Sequence, residues 1–154
     1  HIATHLYKTG DSGFPTGNDL TEAMINYALR QIWENSSGNI DLIVVGGYQK
    51  RKINSFLSAS RSFGPADKAY TDMVSVYESD FGICRIITSR WVPQDAVLLL
   101  DSSRIGVLPL AGRSFHFKPL ASSGDYECGQ LIGEYTLEFR NEGAHGLIRG
   151  LATS

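Results

Sequence analysis

Between Gln130 and Arg140 the chain changes character at almost every step. Leu131, Tyr135, Leu137 and Phe139 fall on one side, with Gly133 leaving a gap. Gln130, Glu134, Thr136, Glu138 and Arg140 fall on the other, with Ile132 as the single apolar exception. A period of two predicts a half-buried strand. At about 3.3 Å per residue it would reach roughly 36 Å, twice the span of a usual strand of about 5–6 residues. Asn141-Glu142-Gly143 then breaks the pattern with turn residues, and a second apolar stretch runs from Ala144 to Leu151. A strand of that reach joins separate parts of a molecule, which points to architecture before chemistry.

Upstream, the first 17 residues carry three glycines and a proline without sustained periodicity and read as an arm or loop. Asp19-Leu20-Thr21-Glu22 opens a helix with Asp19 or Thr21 as N-cap, and Asn35-Ser36-Ser37-Gly38 closes it. Glu22, Asn26, Arg30 and Glu34 form one polar stripe, and apolar residues cover most of the remaining surface. Such a helix packs on more than one side. Ile40 to Val45 reads as a strand covered on both faces. Gly46-Gly47 leads into a second helix over about 48–60, with a narrow apolar face of Ile53, Phe56 and Leu57. Residues 58–72, rich in Ser, Ala and Gly, read as a long loop of the kind that is usually functional or mobile. Strands are expected at 73–77, 83–88, 96–100, 104–110 and 114–117. Helix, strand, helix and then a run of strands makes an α+β fold: two helices on a mixed central sheet.

Composition narrows the function. The chain has 154 residues, 42% of them hydrophobic and 19% charged, which suits one globular domain. Its apolar runs are far shorter than the roughly 20 residues of a bilayer span. A net charge of −2 does not recruit nucleic acid or an anionic membrane. Cys84 and Cys128 sit in strand-like stretches and read as small hydrophobes in a reducing compartment. The chain opens His1-Ile2-Ala3-Thr4 without a methionine, which fits a fragment, a processed product or an edited chain.

Three stretches invite chemistry. Gly10-Asp11-Ser12-Gly13-Phe14-Pro15 looks like the nucleophile loop of trypsin-like proteases, but the chain lacks the upstream barrel such a triad needs. Lys50-Arg51-Lys52 follows a strand and Gly46-Gly47, yet matches no phosphate-loop pattern. Three cations at a helix start oppose the macrodipole, so an acidic partner is expected: Glu78, Asp80 or a neighbouring subunit's carboxylate. Solvated surface, subunit contact and anion site all stay open there. Glu134 and Glu138, roughly 13 Å apart along a strand, suit exposed salt bridging better than paired acid and base work. His1, His5, His116 and His145 make no metal spacing with one another or with the cysteines. No catalytic, cofactor or metal site is predicted.

A whole-chain pattern adds to this reading. Gly46-Gly47-Tyr48-Gln49-Lys50-Arg51-Lys52-Ile53, Val76 to Gly82, Arg90-Trp91-Val92-Pro93 with Val97 to Asp101, Pro119-Leu120-Ala121, Gly124-Asp125, and Gly133 to Glu138 with Arg140-Asn141-Glu142 and Ala144-His145-Gly146 together resemble tailed-phage or prophage major capsid proteins of the Hong Kong 97 fold class. The resemblance covers about 19–151. It implies an arm or loop over 1–18 and an axial domain with two helices and the sheet over 19–120. A connector and long peripheral strand would occupy 121–143, and a returning strand and tail 144–154. It implies a structural role without cofactor or catalysis. Copies would form pentamers and hexamers, and an icosahedral virion shell around double-stranded DNA, assembled in the host cytoplasm with no membrane contact. Lys50, Arg51 and Lys52, and Arg61, Asp67 and Lys68 in the loop, are the expected subunit contacts. The family's upstream arm, extended loop and spine helix would precede His1, which suggests a truncated subunit. An encapsulin-like shell protein is the alternative within the structural class, and a small hydrolase or anion-binding domain the alternative outside it.

Overall fold

In a computed structural model, residues 5–60, 76–121 and 124–153 are described. The chain divides into two compact units, one formed by residues 1–102 and 141–154 and the other by 103–140. Among the described residues the first holds six strands and two helices: β1 (His5–Lys8), α1 (Glu22–Asn35), β2 (Leu42–Val45), α2 (Gly47–Ser60), β3 (Val76–Ser79), β4 (Gly82–Thr88), β5 (Val97–Leu100) and, after the second unit, β10 (Gly146–Arg149). The second holds β6 (Ile105–Pro109), β7 (His116–Pro119), β8 (Gly129–Ile132) and β9 (Tyr135–Phe139).

The six strands form one mixed sheet in the order β1-β10-β5-β2-β4-β3. β1 runs parallel to β10 and β2 to β4, while the other neighbours are antiparallel. The expected α+β fold with two helices on a mixed sheet is what the chain adopts. Alternation decides which side of each strand is covered. Ile43 and Val45 on β2 face Leu99 and Val97 on β5, with Ile148 opposite Val97 on β10, and all five are fully buried. Ile86 and Cys84 on β4 and Tyr77 on β3 extend this layer. Met24, Ile25, Ala28, Leu29 and Ile32 of α1, with Ile53 of α2, complete it.

Local chemistry sets the helix ends. Thr21 is the N-cap of α1: its Oγ1 accepts from Met24 N, and Glu22 lies in the first turn. At the other end Ser36 N donates to Ile32 O. Two or more sides of α1 are packed, because Tyr27 meets Tyr7 and Phe14 edge-on, with centroids 5.7 and 5.5 Å away. Asn26 leaves the expected polar stripe: it is half-buried and its Oδ1 accepts from Tyr77 Oη at 2.7 Å.

Several expectations shift. Residues 5–8 form an edge strand where a loop was expected, because the partner of β1 lies at the far end of the chain and no local pattern announces it. α2 continues to Ser60, into the start of the expected long loop; the remainder of that loop, 61–72, lies outside the described residues. The strand expected at 114–117 sits at His116–Pro119. The long C-terminal strand is interrupted at Gly133-Glu134, giving β8 and β9. Residues 103–120, expected with the axial elements, cluster with 124–140 instead, since β6 pairs with β9 and β7 with β8.

Candidate assembly surface

The second unit is an antiparallel ribbon with a kink. β6 runs against β9 from Ile105↔Phe139 to Pro109↔Tyr135, and β7 against β8 from His116↔Ile132 to Pro119↔Gly129. Six residues, 110–115, therefore oppose the two at 133–134. Glu134 stitches the kink: its carbonyl accepts from Leu110 N, its N–H donates to Arg113 O, and its carboxylate meets Arg113 Nη1 at 2.6 Å. Glu138 pairs with Arg140 at 2.9 Å, so the carboxylates of this strand make exposed salt bridges and no acid–base pair.

The alternation seen in the sequence holds within the strand on each side of the kink. Tyr135, Leu137 and Phe139 share one face of β9 with Pro109, Val107 and Ile105 directly across. Phe117 faces Leu131, and its ring lies over Gly129, which offers no side chain of its own. This apolar face was expected to be buried. In the structure Val107, Phe115, Phe117, Leu131, Tyr135 and Leu137 are 52–67% exposed. No described residue from 103 to 140 is buried. Contiguous exposed apolar surface beyond roughly 300–600 Å² marks an interaction site. Such side chains lie on both strand pairs, Val107, Tyr135 and Leu137 on β6–β9 and Phe117 and Leu131 on β7–β8. The signal for this surface was present in the sequence as the pairing-competent strand 104–110. Its exposure was not, because period two is the same for a covered and an uncovered face.

The basic helix start takes a different shape from the one expected. Lys52 Nζ meets Asp19 Oδ1 at 3.0 Å and lies 5.6 Å from the Tyr48 ring centre, so its acidic partner is Asp19 rather than Glu78 or Asp80. Lys50 is buried, and desolvation pushes its ammonium pKa below the usual value. Arg51 is exposed. A phosphate would need the first amides of α2, and Tyr48 N already donates to Gln94 Oε1 at 2.9 Å. Arg61, Asp67 and Lys68 lie outside the described residues.

The protease-like loop is a turn that anchors an aromatic cluster. Lys8 N donates to Asp11 Oδ2, Phe14 N donates to Asp11 O, and the buried Phe14 stacks on Tyr7 at 5.6 Å. Ser12 is exposed. His145 is buried and its Nδ1 accepts from Asp101 N, while His116 is exposed in the ribbon. Among the described residues no cluster of His, Cys, Asp or Glu is arranged to hold a metal ion, and no helix is long and apolar enough to cross a membrane. Cys84 is buried with its Sγ 3.2 Å from Ile40 O, and burial raises its thiol pKa to about 11. Cys128, expected inside a strand, is exposed just before β8.

A family model described as SU10 major capsid protein matches residues 3–152. No curated protein matches the chain. Among solved structures the chain is similar to the virus-like particle from Pyrococcus furiosus, at 13% identity and a TM-score of 0.51, covering 96% of this chain and 57% of that one. It is also similar to the holo-SrpI encapsulin complex from Synechococcus elongatus PCC 7942, at 14% identity and a TM-score of 0.55, covering 97% of this chain and 54% of that one. The chain thus spans little more than half the length of these structures, and at such identities the likeness speaks for the fold.

Proposed function

The chain belongs to the SU10 major capsid protein family, and on that premise we propose that it is a structural, non-catalytic subunit of an icosahedral phage head. Copies associate as pentamers and hexamers into a closed shell through ring-closing contacts between unlike surfaces. The shell encloses double-stranded DNA without reading its sequence, in keeping with a net charge of −2 that provides no strong hold on phosphates. Assembly takes place in the host cytoplasm and the protein ends in the virion.

The observation that carries this reading is the uncovered apolar ribbon of residues 103–140. A surface of that kind is costly in a monomer and useful only when something covers it. Arg51, at the exposed start of α2, is a further candidate contact, as are Arg61, Asp67 and Lys68. An encapsulin-like shell remains the second reading, favoured by the fold shared with the Synechococcus complex; a co-purifying enzyme cargo would distinguish it.

Negative-stain electron microscopy with analytical ultracentrifugation tests the proposal. Uniform shells, or rings of five and six, are expected from the expressed protein. Val107→Asp with Leu137→Asp should abolish them and leave the melting of the six-stranded unit unchanged, because both side chains are exposed. Monomers alone across a range of salt and concentration would count against the shell reading.

A further inference from the structure

Trp91 is the most exposed large hydrophobic residue of the described chain, with 88% of its surface uncovered. It follows β4 in a turn where its backbone N–H donates to Ser89 Oγ. The segment just after it walls a cavity of about 250 Å³ with Val92, Pro93 and Ala96, against Leu98 and Leu147. Those two leucines face each other across β5 and β10. By strand alternation they lie on the side of the sheet away from the buried Val97, Leu99 and Ile148. Asp95 and Arg149 are the charged residues of the lining. A dry cavity of about 150 Å³ accepts benzene, so this one has room for an indole. It is smaller than the roughly 300–1,000 Å³ of sites for drug-sized ligands, which favours one side chain over a cofactor.

We infer that Trp91 of one copy of this chain seats in the Val92–Leu147 cavity of another. Size and polarity match: the indole is the largest apolar side chain there is, and the walls are apolar. Of the two charges in the lining, Asp95 is the one that suits an incoming cation and Arg149 opposes it. Arg90, exposed beside Trp91, arrives next to Asp95 of the receiving copy. Tryptophan is among the residue types enriched where a few side chains in well-packed pockets carry most of an interface's binding energy. Knob and hole adjoin in the chain, so two copies can make the contact reciprocally about a two-fold axis. The inference rests on the shell reading and names a contact for it.

The chain has two tryptophans, so Trp33→Phe leaves Trp91 as the only indole. Its emission and acrylamide quenching are followed over concentration, alongside sedimentation velocity. As assembly proceeds the emission should move to the blue and quenching should fall several-fold. Trp91→Ala should weaken association at least about thirtyfold, the measure of a hot-spot residue. Since filling the cavity with Ala96→Phe risks the fold, a charge exchange keeps the test sharp. Asp95→Arg should weaken assembly, and adding Arg90→Asp should restore it. Shells that form while Trp91 stays fully quenchable, or that form equally with Trp91→Ala, overturn this contact and leave the shell reading standing. A chain that stays monomeric throughout counts against both.

Discussion

Cys84 and Cys128 separate at the scale of single residues. Both looked like small hydrophobes in strands, yet one is buried under Ile40 and the other exposed. The buried thiol gives a pH prediction whose sign can be worked out. Its folded pKa of about 11 lies above the ordinary thiol value of 9.0, so between these values the native state keeps a proton that the unfolded chain releases. Stability is then full below about pH 9 and declines as pH rises through about 11. Tyr7 and Tyr77, raised by burial to about 12 from 10.0, extend the decline. Melting temperatures from pH 8 to 11 should fall, and Cys84→Ala should flatten the early part of the curve. Gly38 offers a second test. A Cβ there would lie 2.7 Å from Ala144 Cα and 3.0 Å from Ala144 O, both backbone atoms with little room to yield. Gly38→Ala should cost about 1–3 kcal/mol, read as a drop of several degrees in Tm. The close approach was not legible in the sequence, because it depends on a segment tens of residues away; Cys84 is the small hydrophobe in a strand that the sequence suggested, and Cys128 is not.

At the scale of elements, legibility follows locality. The start of α1, with Asp19 or Thr21 as its cap, the apolar cover of α1 and the alternation of residues 131–139 are encoded by neighbours in the sequence and were read from it; the structure chooses Thr21. The pairing of β1 with β10 joins residues 141 positions apart, and the kink at Gly133-Glu134 exists because Glu134 bonds to both ends of the 110–113 turn. Such contacts leave no periodic trace. Exposure was misjudged for the same reason. Tyr135 was expected in a core, where Tyr135→Asp would damage folding by burying an unpaired charge. In the structure the ring is 52% exposed and its Oη accepts from Phe115 N at 3.0 Å. Tyr135→Asp should therefore leave the main melting transition in place. Thr21→Ala, by contrast, removes the α1 cap and should cost about 0.5–2 kcal/mol. Calorimetry of the two variants side by side decides whether the ribbon contributes to the core.

At the scale of the whole molecule, burial is concentrated in one unit. Every residue of the hydrophobic core cluster belongs to residues 1–102 or 141–154. Hydrogen exchange of the unassembled chain should show strong protection in β2 and β5 and weak protection throughout 103–140, with limited proteolysis cutting there first. Equal protection in both regions would mean that the ribbon is held by more than its own pairing. The division also bears on how such chains can diversify. β5 and β10 are hydrogen-bonded antiparallel neighbours, with Leu99 opposite Gly146. The 38 residues from Ser103 to Arg140 thus leave and rejoin the sheet at the same end of a single strand pair. They are, in topology, a hairpin loop that has grown into a unit of its own. A recombination event, or a designer, could swap that cassette for a longer, shorter or differently shaped one without disturbing the register of any of the six strands that carry it.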